Sequence, residues 1–186
     1  MSSEQIVRKP LRAHERSSRT IDERLFLRFP QLAAANARLI FKLPPRSRLR
    51  QAAPRRSARL GVEAYNRRDL DAAVITWHPD CEYLPGRSWV EAGLVEPCYR
   101  GLAGYRKYVV SVDEVWGGEN HLKPVELIDL GERIVLLADG SMRAQASGVP
   151  LTEAFALGST VQDGRPVRHE EYYDHAEALK AVGLAE

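Results

Sequence analysis

Residues 125–173 read VELIDLGERIVLLADGSMRAQASGVPLTEAFALGSTVQDGRPVRHEEYY, and the period of this stretch decides the fold. Val125 to Ile128, Ile134 to Ala138, Ser141 to Gln145, Leu151 to Val161 and Val167 to Tyr173 are strand-like runs. Gly131-Glu132, Asp139-Gly140, Gly148-Val149-Pro150 and Asp163-Gly164 separate them. Asp-Gly between apolar runs is a hairpin signal, because both central residues of the tight turn need positive φ. The stretch therefore predicts an antiparallel meander that turns at each of these four places.

Upstream, the period is helical. Leu102, Tyr105, Val109, Val112 and Trp116 recur at three and four residues, and Gly117-Gly118 stops that helix. Two short strands are expected before it, Cys81 to Leu84 and Pro97 to Arg100. Further back, Ala58, Val62 and Tyr65 share a helical face, and Asp69 has the position of an N-cap for a helix from Leu70 to Trp77 that Pro79 cannot continue. Downstream, Asp174 and Glu177 stand as N-cap and third-position carboxylate of a last helix, ending near Val182 with Gly183 at its C-cap. A bent antiparallel sheet must wrap over helices to bury one face, so the expected class is α+β, a cone-shaped roll over N-terminal helices.

The first third of the chain differs in charge. Residues 1–59 hold 15 basic and 4 acidic residues, a balance of +11, whereas the remainder holds 12 and 21, a balance of −9. Residues 1–20 are polar and are expected to be a mobile tail. Residues 21–55 form a basic amphipathic extension and linker: Leu25, Phe26, Phe29, Leu32, Ala35, Leu39, Ile40 and Leu43 fall near helical spacing, with Pro30 between two short helices, and the arginine-rich Arg46 to Arg56 after Pro44-Pro45 reads as a linker or the frayed start of the next helix. The basic stretch from Ile21 to Arg59 admits three partners: the acidic body of its own or a partner subunit, an anionic membrane surface as a peripheral contact, or another macromolecule. Nucleic acid is not expected, because the acidic body repels phosphate.

Composition excludes other classes. With 44% hydrophobic and 28% charged residues the chain is neither disordered nor membrane-embedded. Gln31 to Leu43 is interrupted by Arg38 and Lys42 and is too short to cross a membrane. Cys81 and Cys98 are too few for a disulfide scaffold, so reduced thiols and a cytoplasmic location are expected. The histidines and cysteines lack metal-ligand spacing, since His78 and Cys81 have no second pair, and no metal or cofactor is expected.

Ala64 to Leu70 (AYNRRDL), Trp77 to Tyr83 (WHPDCEY), Tyr99-Arg100-Gly101, Asp163-Gly164, Glu171 to Asp174 (EYYD) and Ala176 to Leu179 (AEAL) succeed one another in an order that resembles SnoaL-like proteins of the nuclear transport factor 2-like superfamily. The resemblance covers residues 56–186. It implies a homodimer through the outer face of the sheet and a hydrophobic pocket between sheet and helices for a small apolar or aromatic ligand. The superfamily includes polyketide cyclases, ketosteroid isomerase and limonene epoxide hydrolase beside members without known activity, so the likeness does not assign chemistry.

Strand alternation places Val167, His169, Glu171 and Tyr173 on one face. Relatives often point a carboxylate inward from the last strand, and Glu171 stands at that position. A carboxyl on an apolar wall suits acid/base chemistry on a carbonyl compound, as in an isomerase, cyclase or hydratase, with His169 sharing the proton. The other reading is a noncatalytic binding or dimerisation module in which Glu171 and His169 only hydrogen-bond their neighbours. Tyr65, Trp77, Tyr83, Tyr105, Trp116 and Tyr173 are the candidate ligand contacts. The Arg-x-Asp pattern of the epoxide hydrolases is missing from Leu136 to Met142, which counts against that reaction. His78-Pro79-Asp80 reads as a helix stop.

Overall fold

The computed structural model describes residues 6–44, 47–118, 120–143 and 150–184. In chain order the elements are β1 (Val7–Pro10), α1 (Ile21–Arg28), α2 (Pro30–Phe41), α3 (Arg48–Asn66), α4 (Leu70–Ala73), β2 (Glu82–Leu84), α5 (Arg87–Glu91), β3 (Tyr99–Arg100), α6 (Gly101–Trp116), β4 (His121–Asp129), β5 (Arg133–Arg143), β6 (Pro150–Gln162), β7 (Arg165–Tyr172) and α7 (His175–Ala181). The strands form a sheet in the order β1-β4-β5-β6-β7-β2-β3, antiparallel except where β2 meets β7. The class is α+β, as expected.

Period-two alternation sorts the core. Leu127 and Leu136 pack with Val62 of α3, whereas Ile128, Val135 and Leu137 pack with Ala178 of α7. A third cluster gathers Tyr83, Tyr99, Tyr105, Tyr108, Val109 and Val112 around α6. Asp163 and Gly164 have φ values of 49° and 78°, the positive pair a two-residue hairpin turn demands.

Several expectations are corrected. Asp139-Gly140 is no turn: it lies inside β5, with Asp139 paired to Lys123 and Ala154 and Gly140 to Leu122 and Glu153. Ladder bonds on both sides outweigh the local turn preference. The helix expected from Leu70 to Trp77 ends at Ala73, although Asp69 does cap it by accepting from the Ala72 N–H. Of the two readings of residues 46–56, linker or start of the next helix, the structure has the helix from Arg48 onward, with Pro54 inside it. Helix α5 was not foreseen. Gly148 and Val149 lie outside the described residues.

The expected mobile tail is the largest correction. Val7–Pro10 pairs antiparallel with β4 and covers its edge, and Leu11 is buried against Val62 and Leu127. Glu63, buried in α3, accepts from the His14 N–H at 2.9 Å and faces Arg16 at 3.6 Å. Arg19 is paired with Asp69. Thr20 and Glu23 then form a capping box for α1, and the buried Glu23 carboxylate also meets Arg67 at 2.5 Å. Basic residues of the segment thus fold back onto acids of the chain's own body.

Candidate functional site

Two polar groups lie on the inner face of β7. Glu171 is 5% exposed and His169 3%. Their surroundings differ, and the difference is set by which elements approach each.

Around Glu171 four donors converge. Tyr83 of β2 donates to Oε1. Tyr108 of α6 lies 2.7 Å from Oε1 and 2.8 Å from Oε2. Tyr173 donates to Oε2 at 3.1 Å, and the Gly86 N–H at 3.3 Å. Burial pushes the carboxyl pKa up more than these donors pull it down. Gly86 is required here: a Cβ there would sit within 3 Å of the Tyr173 ring. Trp89 of α5 stacks on Tyr173 with centroids 5.0 Å apart and closes the cage.

His169 has a sparser environment. Its Nδ1 is 2.9 Å from Ser159 Oγ on β6, and Nε2 has no hydrogen-bond partner among the described residues. Trp77 lies against the ring at 4.3 Å. Burial alone lowers the imidazole pKa to about 3, so it is neutral at physiological pH. His169 and Glu171 keep separate partners, and the expected proton sharing between them is not what the geometry provides.

A cavity of about 380 Å³ lies in front of His169. Its floor is sheet, including Leu136, Leu157 and Ser159, and its far walls are α3 and the inner sides of α1 and α2, with Phe26, Ile40 and Phe41. A smaller space of about 50 Å³ adjoins Glu171. Tyr65, Tyr83 and Tyr105 line both spaces and stand between them.

Among the expected contacts, Tyr65, Trp77, Tyr83 and Tyr105 line the larger cavity and Tyr173 the smaller. Trp116 lines neither; it packs in the α6 cluster, stacked on Trp89. Burial pushes the Tyr65 hydroxyl up to about 12, so it is a donor rather than an anion. Tyr108, Gly86 and Ser159 were missed. Tyr108 stood in plain view, three residues after Tyr105 and four before Val112 on one helical stripe. Gly86 and Ser159 carried no local signal. Among the described residues, no group of three or more His, Cys, Asp or Glu is placed to hold a metal ion, and no helix is long and apolar enough to cross a membrane.

No protein-family model matches the sequence, and no curated protein matches it significantly. Solved structures do. An NTF2-like protein of unknown function from Burkholderia pseudomallei is 27% identical, with a TM-score of 0.58 over 69% of this chain and 95% of its own. The chain has the nuclear transport factor 2-like fold. TerC, co-crystallised with polyporic acid, is 25% identical with a TM-score of 0.58, covering 67% of this chain and 94% of TerC. A putative polyketide cyclase from Xanthomonas campestris shares the fold at 18% identity and a TM-score of 0.53, over 72% of this chain and 98% of its own. The expected superfamily resemblance holds at the level of the nuclear transport factor 2-like fold, and about a third of this chain lies outside the matches to the Burkholderia protein and TerC.

Proposed function

We propose that the protein binds a small, largely apolar molecule that carries a hydroxyl or carbonyl group, and that His169 Nε2 makes the polar contact. The observation that carries this is the unpartnered Nε2 of a buried, neutral imidazole lining a cavity of about 380 Å³. Such a volume lies within the roughly 300–1,000 Å³ range of small-molecule sites. Buried polar atoms of native proteins are nearly always partnered, so a lone ring nitrogen in a side chain that lines a cavity is a candidate contact for a ligand atom, reached when the ring turns toward the occupant. Ser159 fixes the tautomer. If its hydroxyl accepts from Nδ1–H, Nε2 accepts from the ligand; if it donates, Nε2–H donates to a carbonyl. The co-crystal of TerC with polyporic acid lends the reading support from a protein of the same fold.

Binding is favoured over turnover by Glu171. Four donors occupy its two oxygens, and the tyrosine wall stands between it and the larger cavity. A general base needs a lone pair within reach of the proton it takes. Glu171 acts instead as the keystone that orients Tyr83, whose ring lines the cavity.

The test uses two probes of similar shape, 2-naphthol and naphthalene, titrated into wild type and His169→Phe. Wild type is expected to prefer 2-naphthol, and the variant to lose that preference by roughly tenfold, the worth of about one hydrogen bond, while holding naphthalene as before. Equal loss of both probes, or no loss of either, overturns the assignment of His169.

A further inference from the structure

Six of the ten large apolar side chains exposed among the described residues fall between residues 21 and 49: Ile21, Leu25, Phe29, Leu32, Leu39 and Leu49. Ile21 is 85% exposed, Leu39 68% and Leu49 65%. Apart from Leu49 of α3, which also lines the cavity, these are not the inward faces of α1 and α2, which are already used: Ala33 is buried, and Phe26, Ile40 and Phe41 line the cavity. The outer apolar stripe is a surplus, and a clustered surplus marks an interaction surface.

The cations of this region divide into two sets. Arg38, Arg50 and Arg56 face acids of the chain itself, as do Arg16 and Arg19 before them. Arg24, Arg28, Lys42 and Arg48 are exposed, flank the apolar stripe, and make no ion pair among the described residues. A face with apolar side chains between unpaired cations has the chemistry of a helix that lies in a lipid headgroup layer. The unpaired cations of this face favour the same orientation, toward an anionic surface.

We infer that the outer face of α1 and α2 docks on an anionic lipid surface and brings the mouth of the cavity against it. The mouth lies between α2 and α3, where Asn36, Leu49 and Ala52 both line the cavity and are exposed. An apolar ligand would then pass between lipid and cavity with little exposure to water; this placement rests on the binding reading above, whereas the docking does not. A second copy of the chain fits the face less well. A two-fold contact would bring two copies of the same unpaired cations, Arg24, Arg28 and Lys42, into one interface.

The experiment is co-sedimentation of the full chain with vesicles of phosphatidylglycerol and phosphatidylcholine in equal parts, or of phosphatidylcholine alone. Binding is expected to the anionic vesicles, to weaken at least severalfold between about 0.1 M and about 1 M salt, where the screening length falls from about 10 to about 3 Å, and to drop roughly tenfold in the double variant Ile21→Glu with Leu39→Glu. Both positions are exposed, so the variant should melt as wild type does and still bind 2-naphthol. Failure of the intact chain to sediment with anionic vesicles, equal binding to neutral ones, or undiminished binding by the double variant overturns the inference. So does a concentration-dependent dimer, seen by analytical ultracentrifugation, that the same substitutions abolish. A lost 2-naphthol signal with intact vesicle binding would instead remove the ligand reading and leave the docking standing.

Discussion

Glu171 and His169 stand two residues apart on one face of one strand, both almost fully buried, and burial alone would rank them as equals. Their hydrogen bonds separate them. Around Glu171 three tyrosines and a backbone N–H saturate the carboxylate; around His169 one nitrogen is held and the other is left over. A saturated group shapes the protein, and an unsaturated one waits for something else. The degree of satisfaction, more than the depth or the residue type, distinguishes the keystone from the contact.

This contrast can be broken most decisively by stability measurements. Glu171→Leu leaves the buried Tyr83 and Tyr108 hydroxyls, the half-buried Tyr173 hydroxyl and the Gly86 N–H without their acceptor, and the expected loss is about 3–5 kcal/mol in denaturant unfolding. His169→Phe, which removes one bond to Ser159, should cost no more than about 1 kcal/mol. Comparable losses in the two variants would erase the distinction.

The next effect appears in acid. The imidazole pKa falls from 6.5 to about 3 on folding, so between those values the unfolded chain binds the extra proton and the folded one does not. Stability is therefore fully present above pH 6.5 and is lost as pH falls toward 3, by up to about 1.4 kcal/mol per pH unit. Glu171, with its pKa raised, has the opposite sign from about pH 4.5 upward, but it is common to wild type and His169→Phe. The variant should thus show a flatter loss of melting temperature from pH 6.5 to 4.5, and parallel curves would place the imidazole in water.

Tyr108→Phe is the smallest of the three effects. It removes the one hydroxyl that touches both carboxylate oxygens and is expected to cost about 1–2 kcal/mol, with 2-naphthol binding retained because Tyr108 does not line the larger cavity. A variant as stable as wild type that binds the probe poorly would mean that the cage and the cavity act as one site.

The order of helices and strands was legible because period and caps are local. Asp69, Asp174 and the Asp163-Gly164 turn act within a few residues of themselves. The same dipeptide at Asp139-Gly140 misled, since two neighbouring strands decide its conformation and neither is near in sequence. The inward face of β7 could be read from alternation, but the separation of Glu171 from His169 could not: it depends on Tyr83, Tyr108, Gly86 and Ser159, between 10 and 88 residues away in the chain. The edge pairing of Val7–Pro10 was hidden for the same reason, because an exposed partner strand rather than any apolar run of its own holds it.

The placement of the tryptophans gives the protein its own optical readout. Trp89 and Trp116 stack on each other at 5.9 Å beside the tyrosine cage, whereas Trp77 lies alone of the three against His169 at the cavity wall. Light absorbed by Trp77 is emitted next to whatever fills the cavity, and an occupant with an overlapping absorption band would quench it by energy transfer at contact range. Occupancy can therefore be followed in the unlabelled chain by a change in its tryptophan emission.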